Sequence, residues 1–404
     1  VAANRHGGCA LMTTTRRLTR YIRPLIGRDP AEAHRVATPL ELFTDLCFVV
    51  AVAQASGGLH HEISAGHVTR ATIGYAMAFF AIFWAWLNFA WFSSAYDNDD
   101  VPYRLLTILQ IVGSLILAAG IPSMITEGRT GIGVAGYVVM RIALVIQWFR
   151  VAAGDPPRRR TALRYAFGIM AVQLGWICFL FVPTVLVVPW FLVFVALELC
   201  IPPFAESAGQ TPWHPHHVAE RYGLFFIIML GECILSTTVA IQAAMDAGAS
   251  GSGLLRVVIG GVAIVFSLWW LYFSREDADI LERQNVARNM RWGFGHYFVF
   301  GGTAAVGAGL AIRIDDYTHH AEVSGLTAAL SLTVPIAAIL VSLYLVHIRP
   351  HDPGDRTKIA FAVAVVAVLL ASFTPAAEIF AGMVCTVLVW VCVTSPTAAV
   401  DLSE

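Results

Sequence analysis

The chain has 404 residues, 57% of them hydrophobic and only 13% charged, with a mean hydropathy of +0.69. A soluble protein of this length needs roughly 25% charged residues to cover its surface, so a soluble globular class is excluded. The net charge of −1 is silent on nucleic acid, but no basic domain stands apart, so no nucleic-acid partner is expected.

Residues 1–38 form a basic tail with no apolar run of the kind a secretory leader carries. They read as a cytoplasmic tail that is flexible or lies on the lipid surface, where its arginines meet anionic headgroups. Met12, followed by TTTRRLTR, reads as an alternative start.

Apolar runs of spanning length, about 20 residues each, follow one another from residue 40 onward. They predict an all-α integral membrane protein with twelve transmembrane helices, over 40–60, 71–93, 103–123, 131–150, 162–182, 185–202, 222–244, 254–273, 293–312, 324–347, 358–373 and 377–395. The runs are continuous and do not alternate, which favours helices over a barrel. Basic residues then fall largely on one side, twenty-one against Arg70, Arg129, Arg256 and Arg313. By the positive-inside rule both termini are cytoplasmic, with the chain in the cell membrane. Of the seven cysteines, six lie inside apolar runs with no metal or CxxC spacing, so they read as small core residues.

Two stretches resemble each other. Pro39–His61 is long enough to span a bilayer yet carries Glu41, Asp45 and Gln54; the run from Glu220 to Leu235 repeats the acid, the aromatics and the apolar run, with Glu232 deep inside. The segments that follow, ending WAWLNFAWFSSAYDNDD and SLWWLYFSREDAD, each read as an aromatic belt, a serine and an acidic loop. The order suggests two parallel six-helix repeats, 39–203 and 220–397, joined by a cytoplasmic linker at 204–219, with helices one and seven at the centre.

An acid inside a spanning helix costs on the order of 3 kcal/mol, so each needs a reason. Glu41 and Asp45 are spaced i,i+4 and share a face, about 6 Å apart along the axis. Glu41 reads foremost as a helix-start acid; Asp45 reads equally as a structural hydrogen-bonding group or a functional one. Gln54 lies nearly opposite, which suggests a helix surrounded by protein or water. In helix seven His216, His217 and Glu220 open the segment, Arg221 sits at the inner interface, and Glu232 lies about 18 Å deeper than Glu220. Glu198 is a further acid, near the inner end of helix six. His296 reads as a satisfied core histidine. The glycine-rich run GFGHYFVFGGTAAVGAGLA predicts close helix approach or a bend. His216 and Glu220 have i,i+4 spacing, but two ligands make no metal site, so neither metal nor cofactor is expected. No P-loop, G-x-S-x-G or H-E-x-x-H motif points to an enzyme.

TPLELFTDLCFVVAVAQ at Thr38–Gln54 resembles the L-E-L-F-F-D-L-V-F-V signature of the bacterial low temperature requirement A family. HHVAERYGLFFIIMLGECI at His216–Ile234 is similar to that family's H-x-x-E-R-x-G-L-x-x-I-I-x-L-G-E-x-I motif, and WWLYF at Trp269 to its next helix. The resemblance covers about residues 34–395 and marks Glu41, Asp45, His217, Glu220, Arg221 and Glu232. Thr44 departs from it, since the family usually has an aromatic there. It implies a membrane protein whose name reflects growth in the cold and whose activity is unassigned. Phe43-Thr44-Asp45 followed by Phe48 is also similar to the F-S-D signature of a potassium-channel family with six-helix repeats, although the preceding arginine is absent at the usual spacing.

The leading expectation is therefore a transporter or channel for a small ion or solute, with helices one and seven flanking a path. A membrane-embedded enzyme acting on lipid or envelope precursors, suggested by His216–Arg221, and a stress-related scaffold are the alternatives. The lipid bilayer is the required partner; a second copy of the chain is a candidate one.

Overall fold

A computed structural model describes residues 21–29, 32, 35–249, 251–275, 277–283, 285–351 and 354–394. Met12, Cys9, Arg5, Arg16, Arg17 and Arg20 lie outside the described residues.

The described residues are helical, with no strand among them. The helices are α1 (Pro39–Ser64), α2 (Val68–Tyr96), α3 (Val101–Glu127), α4 (Gly131–Gly154), α5 (Arg159–Phe179) and α6 (Val187–Glu206). They continue as α7 (Pro215–Asp246), α8 (Ser252–Phe273), α9 (Val286–Tyr317), α10 (Gly325–Leu343), α11 (Asp355–Ala371) and α12 (Ala377–Thr394). A short helical segment, Ala278–Arg283, lies between α8 and α9. Among the described residues eleven helices are long and apolar enough to cross a membrane, which makes this a polytopic membrane protein. The remaining expected span, 358–373, is α11, which has only 17 residues. Helices α7 and α9 begin before the predicted edges, because polar first turns are helical too.

Local chemistry explains several of the starts. Thr38 and Glu41 form a reciprocal capping box ahead of α1, with Pro39 in its first turn. Asp100 caps α3 by accepting from the Tyr103 N–H at 2.8 Å. His214 caps α7, with Pro215 next.

The centre of the bundle differs from the expectation. Within their most apolar stretches α9 is 83% buried and α2 is 72% buried, against 50% for α1 and 39% for α7. Glycine explains the place of α9. A Cβ on Gly309 would sit 2.6 Å from the Ser331 carbonyl oxygen, and one on Gly307 would sit 3.0 Å from the Cys233 Cα. The small residues let α7 and α10 close on α9 at near-backbone distance.

Two further expectations are corrected. The aromatics of α2 are not an interfacial belt: Trp84 and Trp86 are buried, while Trp269 and Trp270 of α8 are exposed. The indole N–H groups of Trp84 and Trp86 are drawn inward by the buried carboxylates of Glu198 and Asp45. Nor do the described residues of the tail lie free. Leu25 is buried, the Arg23 N–H donates to Asp100 at 2.9 Å, and the Gly27 N–H donates to Asp155 at 3.1 Å. The tail is strapped across the helix ends because those carboxylates need donors.

Candidate functional site

Helix α1 aims Glu41 and Asp45 at α7, which presents His217 and Arg221 at the same i,i+4 spacing. All four side chains are fully buried. The Arg221 guanidinium holds Asp45 through two bonds, 2.6 Å from Nη2 and 3.2 Å from Nε. Its Nη1 reaches Glu41 at 3.2 Å and donates to the Ser93 hydroxyl at 3.2 Å. His217 Nε2 lies 3.3 Å from the other Glu41 oxygen. Trp86 of α2 donates to Asp45 at 2.8 Å. From the segment before α1, Arg35 reaches Glu41 at 3.7 Å and donates to the Ser93 carbonyl at 2.6 Å and to the Ser94 carbonyl.

Two carboxylates thus face two guanidinium groups, so the cluster is balanced in charge. Buried pairs of this kind add little net stability, but removing one partner costs about 3–5 kcal/mol. Asp97, in the loop after α2, feels the same charges. Its own burial and then the neighbouring Glu41 carboxylate push its pKa up to about 6. Burial also lowers the pKa of Arg35.

The sequence-predicted residues separate. Glu41, Asp45, His217 and Arg221 meet. Arg221 is buried within the bundle, held by the two acids. Glu220 is half-buried and lines a crevice of about 560 Å³ with Arg35, His214, His216, Arg275, Asp277 and His347. Glu198 sits in another network, within the first six helices. It accepts from Trp84 at 2.9 Å, Tyr137 at 2.8 Å, Trp176 at 3.2 Å and Gln173 at 3.3 Å, with Arg141 at 3.4 Å. Glu232 is 7% exposed and accepts from Ser236 at 2.8 Å, with no ion-pair partner among the described residues. It does not join Asp45. Gln54 is corrected outright: it is exposed, on the outward stripe that carries Phe43, Leu46 and Val50. The acids hold the opposite face of α1 inward, which turns Gln54 out.

Arg35, Trp86 and Ser93 were missed. Only the presence of two acids, with a single arginine on α7, could have signalled that another cation was needed.

A larger groove, about 1110 Å³, runs between α9 and α10, but it is lined chiefly by apolar residues such as Phe298, Val334 and Val341. The smaller crevice beside Glu220 carries more charged and imidazole side chains than this groove and lies next to the cluster.

The chain is 26% identical over 280 residues to an uncharacterized protein of Rhizobium meliloti (strain 1021), covering 65% of this chain and 66% of that one. No solved structure matches. The model of the bacterial low temperature requirement A protein matches residues 36–394, a stretch that holds every residue of the cluster except Arg35. The chain therefore belongs to the bacterial low temperature requirement A (LtrA) family.

Proposed function

We propose that the protein is a transporter or channel for a small ion or solute, built from two parallel six-helix repeats with both termini cytoplasmic. The observation that carries this reading is the charge cluster joining α1 to α7, the first helix of each proposed repeat. Neighbour order supports the repeat: α1 packs on α3, then α3 on α4, α4 on α5 and α5 on α6, and α7 packs on α9, then α9 on α10, α10 on α11 and α11 on α12. In this reading α11 is a short twelfth crossing, and the crevice beside Glu220 is the cytoplasmic mouth. Glu232, a buried carboxyl with one neutral partner, is the group a moving cation or proton meets farther along α7.

The test is purified protein in liposomes, assayed for proton, potassium and sodium flux. Flux is expected for at least one of them, and Glu232→Gln should abolish it while the protein stays inserted and folded. A Glu232→Gln protein with full flux removes Glu232 from the path. An absence of flux for all three ions counts against the ion arm and leaves solutes to be tried.

The polar crevice favours one second reading, an enzyme acting on lipid or envelope precursors from the cytoplasmic face. His214, His216 and Glu220 would supply its acid–base groups. Turnover of added lipid, lost on His216→Gln, would select that reading. If neither flux nor turnover is found, a stress-related scaffold remains.

A further inference from the structure

Beside the crevice lies a chain of groups that no spacing in the sequence brings together. Asp277 follows α8, His347 sits in the π-helical turn Tyr344–Ile348 that ends α10, and His296 lies on α9. His296 is fully buried, His347 is 2% exposed and Asp277 is 6% exposed. His296 Nδ1 lies 2.8 Å from the Trp292 carbonyl oxygen. The Nε2 atoms of His296 and His347 are 2.9 Å apart. His347 Nδ1 is in ion-pair contact with Asp277.

Counting protons along this chain gives a definite result. A carbonyl only accepts, so His296 Nδ1 carries a proton. The contact between the two imidazoles needs a second. His347 Nδ1 makes no hydrogen bond to the carboxylate it abuts, yet that close approach needs a third proton, because two lone pairs repel there. Two neutral imidazoles and a carboxylate supply two. We infer that Asp277, His347 and His296 form a proton-binding site that holds one proton beyond the neutral rings.

The surroundings make that proton exchangeable. Asp277 and His347 line the crevice, and His351 reaches the other Asp277 oxygen at 3.0 Å. Tyr272 lies 3.2 Å from His296 Nε2, so its hydroxyl can donate there when His347 does not. Among the described residues, the other titratable or charged groups facing the site are Tyr222 from α7, which packs on His296, then Arg35, His214, His216, Glu220 and Arg275 in the crevice, and Asp279 near His351. Loss of the proton would leave a net negative charge at the end of α10, with one contact broken. A π-turn is a common location for such a functional irregularity. His296 is thus more than a satisfied core histidine.

This inference stands apart from the transport reading, because a bound proton can be measured whether or not anything crosses the membrane. Trp292 is the reporter. Its indole donates to Asp277 at 3.0 Å, and its ring lies 4.4 Å from His296 and 6.2 Å from His347. The experiment is a fluorescence titration of the purified full-length protein from about pH 4 to about pH 9. The Trp292→Phe trace is subtracted to isolate one indole. One transition is expected, lost in His347→Gln and kept in His60→Gln, whose ring pairs with Asp315 instead. Tyr272→Phe should raise the midpoint by roughly half a pH unit, because it removes the substitute donor of the deprotonated state. A flat trace, or a transition unchanged in His347→Gln, overturns the inference. If His347→Gln fails to fold, an unshifted Tyr272→Phe midpoint does so.

Discussion

The Glu198 network and the Glu41–Asp45–Arg221 cluster use the same ingredients, acids and arginines fully withdrawn from solvent. Their surroundings differ. Glu198 accepts from Trp84, Tyr137, Gln173 and Trp176 as well as Arg141, all from the first six helices. Asp45 depends chiefly on Arg221 and Trp86, and Glu41 on Arg221, Arg35, His217 and the Thr38 N–H. The first network is insulated by neutral donors around one ion pair. The second balances several charges across two helices that are remote in sequence, beside a polar crevice. A buried carboxylate is therefore not informative by itself; its informative property is whether neutral donors or a partner helix neutralise it.

The sharpest test of that contrast is removal of each arginine. Arg221→Met leaves two carboxylates short of their main partner and should cost about 4 kcal/mol, read as a collapse of the thermal melt or as loss of folded protein. Arg141→Met leaves Glu198 with four neutral donors and should cost less, about 2 kcal/mol. Equal losses would break the comparison.

Next comes Asp97, which senses the second network through Glu41. Its folded pKa of about 6 lies above the ordinary 3.8, so its charged form is disfavoured in the folded protein. The native state then binds more protons than the unfolded state between those values, and stability falls as pH rises through that window. Asp97→Asn should therefore stabilise the protein above pH 6, by about 2–3 kcal/mol, and should make little difference below pH 4. Melting temperatures of both proteins across this range check it; a pH-independent gain would mean that Asp97 is not loaded by burial and by Glu41.

The smallest expected effect is at Glu232. A carboxyl whose one hydrogen-bond partner among the described residues is the Ser236 hydroxyl loses little on conversion to an amide, so Glu232→Gln should change stability by less than ~1 kcal/mol. A larger loss would place Glu232 with the structural acids, and the flux assay would then no longer read a path.

Much of this protein was legible as a string of residues. Runs of spanning length and a scarcity of charge dictate helices in a bilayer, because unpaired backbone groups are not tolerated in hydrocarbon. The i,i+4 pair Glu41 and Asp45, and the run from His216 to Glu232, marked the helices that meet in the cluster, since helical periodicity is local. Glycine in α9 likewise announced a close approach. What the string could not show is which faces meet. Only the folded bundle decided that α2 and α9 are innermost, that Trp86 serves Asp45, that Arg35 returns from before α1, and that Gln54 faces outward. It alone joined Asp277, His347 and His296, which come from three separate segments. The physical reason is that a buried charge takes its partner from whatever helix packs against it, and helix packing is set by side-chain shape summed over the whole bundle, not by spacing along the chain.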